Sequence, residues 1–320
     1  MSYTITNHLR DQSVIGFGAL ERAFRAGALA RAYAGAATLP RLPAMSTAAF
    51  AQDVRGAQRP VVVSGMFEHW PARTGWSFDS LARRFGETRV TVDLYSQRRR
   101  DMTFAQYVDL IAQPLPEGAS PSYLQEWYFQ LSRPELADDM PELEITQYDF
   151  RHKLYGKGVA ENHQLWIGQK GSVTPLHQDG LMVDALHAQI VGRKRWFLMG
   201  PKARLHLDAS GQPDFDRLVA DPDTELMTCV LEPGDLLFLP ANWWHRIDLL
   251  TDSIGLGRKC LDERHLERHI RQRMAELLPL ALNLDELMRN DPQYVSSVLL
   301  RNQSMAKHMG INLTSLRAEV

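Results

Sequence analysis

Between residues 163 and 258 the chain breaks into short β-like runs separated by turn residues: HQLWIGQ, DALHAQIVG, KRWFLMG, MTCVLEPGD, LLFLP, HRIDLLT and SIGLG. Many short strands at this spacing point to an all-β sandwich or barrel. Helical character flanks this stretch on both sides. FGALERAFRAGALARAYA (18–35) is rich in Ala, Leu and Arg with apolar positions at helical spacing, and Pro40 and Pro43 stop it. Thr47 is placed to cap a short helix over about 48–56. RPVVVSGMF (59–67) is a β-branched run of buried-strand type, and TRVTVDLY (88–95) alternates, with Val90, Val92 and Leu94 on one face. Residues 78–86 and 103–113 fit short helices. The Pro/Gly/Ser-rich segment 114–122 fits an exposed loop too short to separate domains. Beyond 262 the pattern is helical again, over 262–279, 284–290 and 293–308. The expectation is one mainly β core with flanking helices: an N-terminal helical segment (1–57), a core (58–260) and a C-terminal helical segment (261–320).

Composition narrows the classes. The chain has 320 residues, 44% hydrophobic and 23% charged, with a net charge of −2. That is ordinary globular composition, and no global field attracts nucleic acid or an acidic membrane. The adjacent Arg98, Arg99 and Arg100 are expected in a solvated turn, and HLERHIRQRM (265–274) as a solvated helix face rather than a nucleic-acid surface. Two cysteines make no disulfide framework, and Cys229, within an apolar run, fits a small buried hydrophobe. The opening MSYTITNHLR lacks the apolar core of a secretory signal, and no apolar stretch approaches the length of a membrane span. A cytoplasmic protein is expected.

The chemistry concentrates in three segments. TPLHQDG (174–180) sets His177 and Asp179 two apart, and in a strand such residues share a face. Alone the pattern is weak and reads first as a surface pair or a satisfied core histidine. LEPGDLLFLPANWWHRI (231–247) adds a Pro-Gly-Asp turn, an apolar strand, a second turn, and His245 entering another strand. Two histidines and one carboxylate suit one face of an octahedral iron(II), with positions left for substrate and dioxygen; a structural zinc site fills four positions and prefers cysteine. In GRKRWFLMGP (192–201), Lys194 and Trp196 share one strand face, and Arg193, Arg195 and Phe197 the other. Spacing leaves open whether Lys194 is a buried partner for an anion or one of three neighbouring surface cations.

Taken together, WIGQKGSVTPLHQD, GRKRWFLMGP and PGDLLFLPANWWH, in that order, resemble the Jumonji-C, or cupin-8, family of iron(II)- and 2-oxoglutarate-dependent oxygenases. The resemblance covers roughly 58–258, since RPVVVSGMFEHWPA (59–72) is similar to the family's N-terminal strand. It implies a double-stranded β-helix (jelly-roll, cupin) core. It implies His177, Asp179 and His245 as ligands of Fe(II), and Lys194 and Thr174 at the far carboxylate of 2-oxoglutarate. Tyr128, in WYFQ (127–130), is the matching candidate for a tyrosine that often completes that pocket. O2 is the co-reactant. The implied activity is hydroxylation of a protein or peptide side chain with release of succinate and CO2. The alternatives are the same chemistry on a small molecule or free amino acid, or a non-catalytic metal-binding cupin. Where the family often carries an Asn after the distal histidine, this chain reads SIGLGRK (253–259). His187 ordinarily reads as a core or surface histidine, with a polar support or substrate contact as the other reading. The apolar helices of 276–288 and 294–300 suggest a homodimer, or equally a cover over their own core.

Overall fold

The computed structural model describes residues 24, 27–93, 99–155, 163–203, 206–210, 213–274 and 289. They fall in two compact units. The first lies within Met1–Gln147, His163–Gly180 and Asp184–Lys259; the second lies within Tyr148–Asn162, Leu181–Val183 and Cys260–Val320.

The first unit is built on strands. In chain order these are β1 (Ala37–Thr38), β2 (Arg41–Pro43), β3 (Val61–Ser64), β4 (Arg89–Asp93), β5 (Arg99–Thr103) and β6 (Tyr123–Trp127). Then come β7 (His163–Gly168), β8 (Val173–Gln178), β9 (Asp184–Val191), β10 (Lys194–Met199), β11 (His206–Leu207) and β12 (Pro213–Asp214). The last are β13 (Leu226–Leu231), β14 (Asp235–Leu239), β15 (Trp244–Leu249) and β16 (Ser253–Cys260). One sheet runs β1-β13-β10-β15-β8, another runs β2-β3-β14-β9-β16-β7-β6-β4-β5, and β11 pairs with β12. The main pairings inside both large sheets are antiparallel. The strands expected between 163 and 258 are present as a two-sheet jelly roll; among the described residues the sheets do not close into one hydrogen-bonded barrel.

Alternation explains how the two sheets meet. On β10, Lys194, Trp196 and Leu198 are buried, whereas Arg195 is exposed. Trp196 and Leu198 join Cys229, Leu231, Ile247 and Leu249 of the same sheet in one cluster with Ala185, Leu237, Leu239 and Tyr123 of the other. Burial of one such aliphatic side chain contributes roughly 1.5–3 kcal/mol. All five residues of β14 are buried, so the continuous apolar run LLFL reflects a central strand covered on both faces. Gly234, at φ 100°, makes the turn that feeds this strand; an added Cβ there would lie 2.6 Å from Glu68 Oε1.

One short segment belongs to both sheets. β1 pairs in parallel with β13, and two residues later β2 pairs in parallel with β3. Leu39, between them, is buried in the shared cluster, and its N–H donates to Thr228 O.

The helices follow their caps. Phe78–Phe85 starts on a Ser77/Ser80 capping box and Phe104–Ala112 on a Thr103/Gln106 box. The helix expected after Thr47 is capped one residue earlier, by Ser46, whose hydroxyl accepts from Ala49 N; the hydroxyl of Thr47 reaches Glu144 instead. Arg99 and Arg100 open β5, paired with β4, rather than lying in a turn; Arg98 is outside the described residues. Of the helix expected at 18–35, Ala28–Ala34 is described.

In the second unit Arg151–Tyr155 and residues 266–274 are helical. Asp149, fully buried, is held by Arg151 through both carboxylate oxygens and accepts from Leu261 N at 2.9 Å. His269 joins Leu181 O through Nδ1 and the Tyr155 hydroxyl through Nε2. Apart from Arg289, the apolar helices expected over 276–308, and with them the homodimer, lie outside the described residues. No helix among the described residues is long and apolar enough to cross a membrane.

Candidate metal centre

His177 and His245 stand opposite one another on neighbouring strands β8 and β15, with ring centroids 4.1 Å apart. Asp179 follows the end of β8. His177 Nε2 lies 3.9 Å from its Oδ1, and His245 Nε2 lies 4.0 Å from its Oδ2. One donor atom from each of the three residues falls within 4.8 Å of the others.

The backbone fixes which nitrogen faces inward. His177 Nδ1 lies 2.8 Å from Pro175 O, and His245 Nδ1 lies 3.1 Å from Trp243 O. A carbonyl only accepts, so each Nδ1 carries the proton and each Nε2 presents a lone pair. Burial pushes the His245 imidazole down to about 3, keeping it neutral. Burial works against the charge of Asp179, but the opposing interactions, the Lys259 ammonium first among them, hold the carboxyl well below the usual range.

A bulge sets the fourth residue of the site. His245 pairs with His177, yet Ile247 pairs with Thr174, so β8 spends one more residue than β15 over this interval. Without that bulge Thr174 and His177, three apart, would face opposite sides; with it both face the inner side. Pro175 occupies the bulge, where its missing N–H costs no ladder bond. Thr174 is buried and its Oγ1 has no hydrogen-bond partner.

Lys194 is turned inward, 5% exposed. Its ammonium stands 5.9 Å from the centroid of the Tyr123 ring, and burial pushes its pKa down to about 7. Opposite, on β16, Gly255 and Gly257 leave a lane. An added Cβ at Gly255 would lie 3.1 Å from Lys194 Nζ, and one at Gly257 would lie 3.0 Å from Trp166 Nε1 and 3.3 Å from His187 Cε1. Trp166 Nε1 and His187 Nε2 are both buried without partners. His187 therefore belongs to the inner wall, packed on Trp196 at 4.6 Å between ring centroids, and burial holds it well below the usual imidazole range. The Tyr128 hydroxyl accepts from Gln164 Nε2 at 2.6 Å; the ring beside Lys194 belongs to Tyr123.

Lys259, on the inner face two residues past Gly257, forms an ion pair with Asp179 Oδ2. Neither Lys259 nor Tyr123 stands out from motif spacing. The signal was parity: Gly255, Gly257 and Lys259 alternate on one strand, so they share a face.

These residues fit a divalent metal with an anionic cosubstrate. Two imidazoles and a carboxylate are an iron(II) donor set. A buried cation and an orphaned hydroxyl, across a lane kept open by glycines, answer the charge and hydrogen-bonding needs of a carboxylate.

Residues 47–260, more than half of the chain, match the model of the cupin-like domain. The chain is 30% identical over 233 residues to the lysine-specific demethylase JMJ30 of Arabidopsis thaliana (67% of this chain, 52% of the relative). It is 25% identical over 256 residues to the arginine-specific demethylase JMJ20 of the same plant (68% and 55%). It is 26% identical over 242 residues to the 2-oxoglutarate and iron-dependent oxygenase JMJD4 of Gallus gallus (65% and 56%). It thus spans about half the length of these relatives.

Proposed function

The chain belongs to the cupin-like, Jumonji-C-type family of iron(II)- and 2-oxoglutarate-dependent oxygenases, and on that footing we propose that it hydroxylates a side chain of a protein or peptide, releasing succinate and CO2. One observation carries the reading: His177, Asp179 and His245 offer three donor atoms within 4.8 Å, on the same inner wall as the buried Lys194. A binding-only cupin needs no such cation.

When bound, iron(II) and 2-oxoglutarate supply the oxidising power that puts one oxygen atom of O2 into a substrate C–H bond and the other into succinate. The chain's own residues position and shield. His177 and His245 present Nε2 lone pairs because the carbonyls of Pro175 and Trp243 hold their Nδ1 protons. Lys194 receives the far carboxylate of the cosubstrate and Thr174 Oγ1 donates to it, with Tyr128 as the outlying candidate for the same pocket. Trp196 backs the site, its ring stacked against His245 at 5.8 Å, and with Leu198, Ile247 and Leu249 it keeps water from the inner wall.

The test is 2-oxoglutarate turnover, read as succinate, with iron and ascorbate present, screened against peptides, free amino acids and nucleosides. A peptide that stimulates succinate release and gains about 16 Da, the mass of one oxygen atom, supports the reading. Stimulation by an amino acid alone moves the activity to small molecules, and no turnover with any class removes the oxygenase reading.

A further inference from the structure

Asp179 has two oxygens and the structure divides them. Each faces one imidazole, Oδ1 at 3.9 Å from His177 Nε2 and Oδ2 at 4.0 Å from His245 Nε2, and it is Oδ2 that also pairs with the Lys259 ammonium. We propose that Lys259 is a positioning residue that keeps Oδ2 engaged, so that Asp179 offers the metal Oδ1 alone. This rests on the oxygenase reading of the site.

The division matters because coordination positions are few. An octahedral ion has about six. Two imidazoles, one carboxylate oxygen and a cosubstrate held through two oxygens would occupy five and leave one for dioxygen. A carboxylate bound through both oxygens closes the last one. Nothing in the carboxylate itself prevents that second bond, since both oxygens of Asp179 lie within about 4 Å of an imidazole nitrogen of the set. An ammonium held against Oδ2 does prevent it. The strand enforces its placement: Lys259 shares the inner face of β16 with Gly255 and Gly257, whereas Arg258, between them, faces the other way and pairs with Glu142 at 2.7 Å. The arrangement gives a reason for a lysine so close to a metal-binding group, where a cation otherwise works against metal uptake.

The experiment compares the full-length protein with Lys259→Met, which keeps length and loses charge, and Lys259→Arg, which keeps charge. Two quantities are measured anaerobically: Co(II) affinity by titration, and nitric oxide affinity of the iron(II)- and 2-oxoglutarate-loaded protein by electron paramagnetic resonance, nitric oxide standing in for dioxygen. For Lys259→Met, Co(II) binding is expected to tighten by about tenfold, because a like charge is gone and a second oxygen is available. Its nitric oxide affinity is expected to fall by at least about tenfold, and Lys259→Arg should restore both values. A merely structural lysine predicts weaker or unchanged Co(II) binding, and that result overturns the proposal. Tightened Co(II) binding with unchanged nitric oxide affinity also overturns it, since Oδ2 would not then compete for the open position. If the wild type takes up neither metal nor 2-oxoglutarate, the oxygenase reading itself fails and the proposal fails with it.

Discussion

The charge of Lys194 should set how cosubstrate affinity depends on pH. Burial pushes this ammonium down to about 7, so the free protein holds it half neutral near neutrality. A dianionic cosubstrate needs the ammonium, so binding takes up a proton above about pH 7 and none below. The sign follows directly: wild-type affinity for 2-oxoglutarate is flat below about pH 7 and falls as pH rises, by roughly tenfold at pH 8. Lys194→Met removes the charge while preserving the stem that packs near Tyr123. The lost charge-assisted bond is worth about 1.5–3 kcal/mol, or roughly 10- to 150-fold in Kd, seen in full at about pH 6. At about pH 8 the gap narrows by about tenfold, because the wild type has lost most of its own ammonium. Isothermal titration with the Mn(II)-loaded protein, in two buffers of different ionisation enthalpy, measures both the Kd and the proton uptake. A Lys194→Met Kd within twofold of wild type at about pH 6, or a wild-type Kd flat to about pH 9, refutes the placement of the cosubstrate against Lys194.

Further outcomes follow from the same geometry. Asp179→Ala and His177→Ala should abolish succinate production and metal uptake together, and near-normal cosubstrate decarboxylation by Asp179→Ala would remove it from the ligand set. Thr174→Val fills the same space without the hydroxyl; its 2-oxoglutarate Kd should rise about 2- to 10-fold with an unchanged melting temperature. At Gly168 an added Cβ would sit 2.6 Å from both Leu249 and Tyr123, so Gly168→Ala should cost about 1–3 kcal/mol and lower the Tm by several degrees. Asp149→Ala strands Arg151 in the interior of the second unit and should cost about 3–5 kcal/mol by urea denaturation.

The strand-rich core was legible because alternation survives in the letters: KRWFLM shows Lys194 and Trp196 on one face, and the structure buries both. The direction of that face was not legible. An inward lysine and a surface lysine have the same spacing, and the choice is made by the second sheet, whose Ala185, Leu237, Leu239 and Tyr123 cover that face of β10. Thr174 is harder still. Its parity with His177 is wrong for a regular strand, and only the extra residue at Pro175 turns it inward. Resemblance named it; strand periodicity argued against it. SIGLG looked like a gap where a side chain was expected. The structure shows the gap as space, lined by Lys194 from the facing sheet and by His187 and Trp166 from the strands on either side of β16. Ser46 rather than Thr47 caps its helix because two hydroxyls in a row are equivalent until the backbone enters the first turn.

The segment 37–43 has a consequence beyond closing one side of the core. The terminal strand of any open sheet exposes unpaired amides and carbonyls, an invitation to a neighbouring molecule. Here seven consecutive residues cover one such margin on each of the two large sheets, with Leu39 anchored between them. Nicking or deleting that stretch would bare both margins at once, and the protein's resistance to forming intermolecular β-structure would depend on a peptide far from its chemistry.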